Sequence, residues 1–335
     1  MAADPPAPER DRHGRAITYL RLSVTDRCNL RCRYCLPAGG VEWRAREGHL
    51  TDEEIVRVVS LAAGRGLSKV RLTGGEPLVR PGIVELVAKL ARVPGISDLA
   101  MTTNGVLLAR HAVALKRAGL HRVNVSLDTL DRAKFARITG RDALPQVLEG
   151  IDAAEREGLA PVKLNMVVQK GINDDECADL ARLTIDRPYH ARFIEYMPVA
   201  DFTRWQTHYL PSRAVMDRLI EACGPLYPCG RGEHEGPALS YRLAGAAGRL
   251  GFISAISDEH FCGRCNRMRL TADGKLRPCL FSPVEVDVRT ALRSDCSDGA
   301  LDKFFDHALA VKPPAHELST SPQERMLVTM ITLGG

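Results

Sequence analysis

No apolar run in this chain approaches the roughly 20 residues that a membrane-crossing helix needs, so nothing in it calls for a bilayer. Nor is there a block of one charge. The 46 Lys and Arg are spread among 41 Asp and Glu for a net charge of +5, which makes no case for nucleic acid but leaves room for a local anion site. The opening MAADPPAPERDRHGRA is polar and proline-rich, without the apolar centre of a secretory signal. Residues 1–15 therefore read as a mobile leader and the protein as cytoplasmic. There is no G-x4-G-K-[ST] motif, so any triphosphate must be held by side chains rather than by a phosphate loop. The histidines show no ligand spacing, and no repeat or low-complexity tract interrupts the chain.

What is present is enough for a sizeable core. With 335 residues, 45% hydrophobic and 26% charged, the chain fits two domains or one barrel with an appendage. From residue 17 to about 195, β-rich runs alternate with amphipathic stretches: ITYLRLSV (17–24), KVRLTG (69–74), DLAMTT (98–103), RVNVSLD (122–128), VKLNMVV (162–168) and ARFIEYM (191–197). Thr51 and Glu54 open one helix in capping-box spacing, and PGIVELVAKLARVPG carries proline at its start and glycine beyond its end. Six strands, each followed by a helix or long connection, imply α/β architecture with a parallel sheet. Five of the six end in polar or glycine-rich residues, where a parallel barrel keeps its chemistry. An open or partial (β/α) barrel is expected, with a flat doubly wound sheet as the alternative. Beyond residue 210 the texture changes to a helix (SRAVMDRLIEA), two strands (LSYRLAG and GRLGFISA), and helices near 284–293 and 298–311, read as a smaller cap.

Ten cysteines in a compartment that keeps thiols reduced point to metal or redox chemistry rather than disulfides. Cys28, Cys32 and Cys35 follow the first strand as C-x3-C-x2-C. Three thiolates can hold three irons of a cubane cluster and leave the fourth open to a small molecule, whereas ferredoxin-type carriers fill all four positions. Structural zinc wants four ligands and different spacing. Cys262, Cys265 and Cys279 form a second set, C-x2-C-x13-C, for which a zinc ribbon with a remote fourth ligand is a competing reading. Within it, Arg267 and Arg269 stand one residue apart on an extended segment and so point the same way, fit to grip phosphate or carboxylate. Cys177, Cys223, Cys229 and Cys296 have no cluster spacing. Arg21, Arg71, Lys163 and Arg192 lie within strands. Cations are costly to bury unpaired, so several converging on one cavity suggest a polyanionic ligand, unless acids such as Glu76, Asp128 or Glu195 neutralise them.

CNLRCRYC resembles the signature of radical S-adenosylmethionine enzymes, and TGGEPL (73–78) looks like their next motif, a strand end where glycine lets the backbone approach the methionine amino group. Together with TTNG (102–105), NVSLD, RFIEYMP, CNRMRLTADG and the terminal GG, these motifs make the chain similar to the GTP 3′,8-cyclase (MoaA) family from about residue 17 onward. The resemblance implies an incomplete six-unit (β/α) TIM-like barrel (16–210) closed by a C-terminal cluster-binding segment (211–335), with two 4Fe-4S clusters and S-adenosyl-L-methionine. It implies that Tyr34, Gly75, Ser126 and Met197 serve S-adenosylmethionine, and that Arg21, Arg71, Thr102, Lys163, Arg192, Arg267, Met268 and Arg269 serve GTP. Gly334 and Gly335 would form a tail reaching the active site. The implied reaction converts GTP to (8S)-3′,8-cyclo-7,8-dihydroguanosine 5′-triphosphate in molybdenum cofactor biosynthesis. The implied partners are a flavodoxin- or ferredoxin-type electron donor, cyclic pyranopterin monophosphate synthase as consumer of the product, and a second copy in a homodimer. The rival is a radical enzyme acting on a peptide or another small molecule, which predicts four cysteines in the second set and no phosphate-binding cations.

Overall fold

The computed structural model describes residues 6–36, 46–199, 201–230, 236–294 and 296–316. Strands β1 (Tyr19–Ser23), β2 (Lys69–Thr73), β3 (Asp98–Thr103), β4 (Arg122–Ser126), β5 (Lys163–Val168) and β6 (His190–Glu195) pair in parallel in chain order. Between them run α1 (Asp52–Gly64), α2 (Ile83–Ala91), α3 (Leu108–Arg117), α4 (Arg132–Thr139), α5 (Leu144–Arg156) and α6 (Cys177–Asp186). Helix α1 starts as its sequence dictates. The Thr51 side chain accepts from the Glu54 amide while Glu54 reaches back to the Thr51 amide, and Ile55, Val58, Val59 and Ala62 turn inward.

The C-terminal third continues through α7 (Phe202–His208), α8 (Ser212–Cys223), β7 (Tyr227–Pro228), β8 (Leu239–Arg242), β9 (Arg249–Ile253), β10 (Arg267–Leu270), β11 (Lys275–Arg277), β12 (Val286–Asp287), α9 (Arg289–Arg293) and α10 (Asp298–Ala310). Its strands join the same sheet. β9 lies parallel against β6 and β10 parallel against β1, giving the order β12-β11-β10-β1-β2-β3-β4-β5-β6-β9-β8-β7. The helix expected near 284–293 is shorter than its sequence suggested. Val286 pairs with Leu276 in β12, so the helix begins only at Arg289.

Residues 9–15 fall within the stretch read as a mobile leader, and here they are packed. The Glu9 amide donates to the Arg65 carbonyl (3.3 Å), the Ile17 amide to the Glu9 carbonyl (2.9 Å), and the Glu9 carboxylate pairs with Arg65 (2.7 Å). Gly66, at φ +83°, allows the close approach, because a Cβ there would stand 2.5 Å from the Pro8 backbone.

Alternation along the strands splits the sheet into two unlike faces. Leu20, Leu22, Val70, Leu72, Leu99, Met101, Val123, Val125, Leu164, Met166 and Phe193 belong to the main apolar core. The positions between them are Tyr19, Arg21, Lys69, Arg71, Asp98, Thr102, Asn124, Lys163, Asn165, His190 and Arg192. Parallel sheets are ordinarily apolar on both faces. A buried face this polar requires a reason other than packing.

Candidate active site

A cavity of about 270 Å³ sits on the polar face, and all six clustered cysteines, Cys28, Cys32, Cys35, Cys262, Cys265 and Cys279, line it. The first three come from the loop after β1 and the others from the segments that bracket β10 and β11. Tight turns shape both sets: the Cys35 amide donates to the Cys32 carbonyl (3.0 Å) and the Cys265 amide to the Cys262 carbonyl (3.1 Å). Among the described residues no group of three or more His, Cys, Asp or Glu is arranged to hold one metal ion. The donor chemistry, three thiols per set facing a shared chamber, fits clusters whose remaining position opens to a ligand.

The segment after β2 is shaped first by the cysteine loop. A Cβ on Gly75 would meet the Arg27 carbonyl oxygen at 2.3 Å, and one on Gly74, at φ +149°, would meet that of Thr25 at 2.4 Å. The Gly75 amide donates to the Thr25 carbonyl (2.8 Å) and the Glu76 amide to that of Arg27 (2.7 Å). These glycines fasten the cysteine loop to the end of β2, a demand the expected approach to a methionine amino group did not include. Glu76 extends the fastening to β3, accepting from Thr103 Oγ1 (2.7 Å), the Asn104 amide (2.6 Å) and the Leu78 amide (3.1 Å). Burial pushes its carboxyl up to about 7 despite those bonds. Asn104 in turn donates to Asn29 Oδ1 (2.7 Å) inside the loop.

Tyr34 is held from the opposite wall, its Oη donating to Asp128 Oδ2 at 2.7 Å, while the Val167 amide donates to Oδ1 (2.9 Å). Burial lifts Asp128 to about 6, and burial followed by the Asp128 charge lifts Tyr34 well above its ordinary value. The tyrosine therefore keeps its proton and donates.

Between the cysteine sets, cations gather. Arg21 of β1, Arg71 of β2, Arg192 of β6, and Arg267 and Arg269 of β10 line the cavity. Register brings three of them side by side, with Arg21 opposite both Arg71 and Arg269. Glu76 and Asp128 are occupied as described, Glu195 accepts from the Ser212, Ile256 and Ser257 amides, and Asp98 pairs with Lys69 (3.1 Å) and Arg122, which stand outside this group. Arg71 Nε and Nη2, Thr102 Oγ1 and Asn165 Oδ1 are buried without a hydrogen-bond partner. Orphaned donors and acceptors of this kind on a cavity wall suit a polar, anionic ligand that would complete them.

Tyr34, Gly75, Ser126, Met197 and Thr102 line the cavity with these arginines, whereas Lys163 and Met268 do not. Strand alternation turns the Met268 side chain into the apolar core, opposite Arg267 and Arg269, so only its backbone belongs to this edge. Lys163 is 3% exposed, two residues along β5 from Asn165, which does line the cavity. Burial, then Arg192, Arg122, Arg71 and Lys69, drag its ammonium down to about 5. Gly334 and Gly335 lie outside the described residues.

Sequence reasoning missed Arg15 and Lys312. Lys312, 2% exposed, donates to the Arg267 carbonyl (2.8 Å) and stands 3.6 Å from Cys265 Sγ. Against burial, Arg267 and Lys312 pull the Cys265 thiol down to about 6, easing its use as a thiolate ligand. Neither cation has a motif, and only the fold brings them here. His316 was missed as well. It lines the cavity, donates Nε2–H to the Ala255 carbonyl (2.6 Å) and meets the Phe281 ring edge-on at 5.1 Å.

Comparison with known proteins finds two family matches along the chain. Residues 22–184 match the Radical SAM superfamily and residues 189–318 match Molybdenum Cofactor Synthesis C. A GTP 3′,8-cyclase of Moorella thermoacetica is 46% identical over 322 residues, covering 96% of this chain and 99% of that one. Another, from Heliobacterium modesticaldum, is 50% identical over 311 residues, covering 92% and 94%. Among solved structures, Streptococcus suis SuiB bound to S-adenosylmethionine is similar with a TM-score of 0.61 at 16% identity. That alignment takes in 84% of this chain and 65% of the other, and the likeness is one of fold.

Proposed function

The chain belongs to the GTP 3′,8-cyclase family, and from that premise we propose that it converts GTP to (8S)-3′,8-cyclo-7,8-dihydroguanosine 5′-triphosphate by radical S-adenosylmethionine chemistry, an early step of molybdenum cofactor biosynthesis. The observation that carries the reading is the single cavity: two sets of three cysteines face it, with five arginines from four strands on its wall. Cys28, Cys32 and Cys35 would hold the 4Fe-4S cluster that, with S-adenosylmethionine, supplies the hydrogen-abstracting radical. Cys262, Cys265 and Cys279 would hold a second cluster beside the purine.

The chain's own residues have three tasks. Arg21, Arg71, Arg192, Arg267 and Arg269 grip the triphosphate, a role for which planar guanidinium forks are suited. The Tyr34–Asp128 pair, Gly75, Ser126 and Met197 shape the S-adenosylmethionine side. Apolar walls such as Ile194, Ile253, Phe261 and Phe281 keep out water that a radical would otherwise meet. In this reading the sheet is an incomplete six-unit barrel, residues 16–210, with the C-terminal segment 211–335 completing it and the Gly334–Gly335 tail entering the cavity. The enzyme works in the cytoplasm as a homodimer, takes electrons from a flavodoxin- or ferredoxin-type protein and passes its product to cyclic pyranopterin monophosphate synthase.

Anaerobic reconstitution with iron and sulfide, then reductant, S-adenosylmethionine and GTP, tests this. Formation of 5′-deoxyadenosine together with a product isomeric with GTP is expected. Cleavage of S-adenosylmethionine with no change in GTP would overturn the substrate assignment.

A further inference from the structure

The loop that carries the first cysteine set has an outer face as well as an inner one. Arg33 stands between Cys32 and Cys35 and is exposed. The loop is fastened to the end of α4, the Arg31 amide donating to the Thr139 carbonyl (2.7 Å) and the Arg33 amide to the Ile138 carbonyl (3.0 Å). This places the last turn of α4 against the loop, with exposed Arg137 in that turn and exposed Arg141 just beyond it.

The cations of this corner are not equivalent. Arg132 is neutralised by Asp142 (2.8 Å), and Lys134 by Asp175 (2.9 Å) and Glu176 (2.6 Å). Arg33, Arg137 and Arg141 have no carboxylate partner among the described residues, which leaves three uncompensated charges grouped at the cysteine loop. The barrier to the interior here is also thin. Cys32, Tyr34 and Cys35 line the inner cavity while Arg33, among them, is exposed on the outside, so the loop is a single layer of chain at this point.

We propose that this outer face is the docking surface for a small acidic redox protein, with Arg33, Arg137 and Arg141 as its contacts. The inference rests on the radical reading above, in which the cysteine-held cluster must be reduced from outside. The step is a bare electron transfer: the donor is oxidised by one electron and the cluster reduced by one, with no bond made or broken and no proton moved. Donor and cluster must approach closely for that, and the thin wall lies where the uncompensated cations are. Opposite charge on the partner steers the encounter and fixes its orientation.

The test uses the full chain and a labelled bacterial flavodoxin of net negative charge. Binding is followed by fluorescence anisotropy on protein with and without reconstituted iron and sulfide. The double variant Arg137→Glu/Arg141→Glu should weaken binding about tenfold or more at low salt, the difference shrinking as salt screens it. Cleavage of S-adenosylmethionine driven by flavodoxin hydroquinone should slow with it, while cleavage driven by dithionite stays unchanged. The control, Arg117→Glu/Arg156→Glu, reverses two exposed charges in the last turns of α3 and α5, helices that lead into the opposite ends of the strands. Equal binding by wild type and the α4 variant, or equal weakening by the control, would overturn the proposal. Absence of dithionite-driven cleavage in the wild type would strike the radical reading instead, and binding to the cluster-free protein would still decide the docking surface.

Discussion

Arg15 Nη1 donates to the Cys262 carbonyl at 2.9 Å, joining residues 247 apart in sequence. The same guanidinium holds the Pro314 (3.0 Å) and Pro313 (2.7 Å) carbonyls, and Asp11 pairs with its Nε at 2.6 Å. One buried side chain thus ties the start of the chain, the second cysteine set and the segment after α10. Hydrogen bonds to charged groups are worth roughly 1.5–3 kcal/mol each. Arg15→Ala should lower the melting temperature and halve the iron retained after reconstitution, measured by iron analysis, while the first set keeps its cluster. Full retention would mean that the clamp is incidental to the second set.

The two cysteine sets should separate in function. Cys32→Ala removes a ligand of the first set and should abolish reductive cleavage of S-adenosylmethionine. Cys265→Ala should leave some cleavage but uncouple it from GTP consumption, as followed by chromatography of 5′-deoxyadenosine and nucleotide. Cyclisation of GTP at the normal rate in Cys265→Ala would rule out a substrate-holding second cluster.

Lys163 makes opposite predictions for the empty and the loaded protein. Its ammonium is driven down to about 5 by burial and by Arg192, Arg122, Arg71 and Lys69. The unfolded chain binds a proton at this lysine up to its ordinary value of 10.5, and the fold gives that proton up. The lysine therefore works against folding below pH 10.5, with a penalty that grows as pH falls and is complete at about pH 5. Lys163→Met should stabilise the nucleotide-free protein, by roughly 1–4 kcal/mol on the scale of buried ion replacements. GTP binding, in contrast, should weaken, because an anion held by Arg192 and Arg71 in the neighbouring cavity would offset the cations that strip this lysine of its proton, although the lysine does not itself line that cavity. Titration of both ligands would show a loss for GTP and none for S-adenosylmethionine. A drop in melting temperature would contradict the argument.

Asp98 contributes with the opposite sign, stabilising the fold, although with it too stability falls as pH falls. Burial raises its carboxyl, but Arg122 and Lys69 more than reverse this and bring it from 3.8 to about 2. The stabilisation is complete above pH 3.8 and is lost as pH falls through 2. It amounts to roughly 2.5 kcal/mol at 1.36 kcal/mol per unit. Urea unfolding should show the wild type losing more stability than Asp98→Asn between pH 4 and 2.

Removing Gly334 and Gly335 should leave folding, both clusters and most GTP affinity intact while eliminating cyclisation. A peptide ending in LGG, added in trans, should restore part of the activity. Full activity in the shortened chain would assign those residues no part in the reaction.

The sequence by itself determined the local elements and the chemistry they carry. Alternation in KVRLTG and VKLNMVV marks strands whose polar residues share one face, the Thr51–Glu54 box starts α1, and C-x3-C-x2-C needs no fold to declare its ligands. These are short-range properties, written in neighbouring residues. Only the tertiary structure decided what depends on distant residues meeting. It placed β10 against β1, so that Arg269 stands beside Arg21, and β9 against β6. It turned Met268 into the core while its neighbours face the cavity. It buried Lys312 beside Cys265 and folded residues 9–15 back onto Arg65 and Cys262. Pairing between strands that lie some 250 residues apart leaves no local signature, because backbone hydrogen bonds are indifferent to side-chain identity and a lone buried cation has no motif.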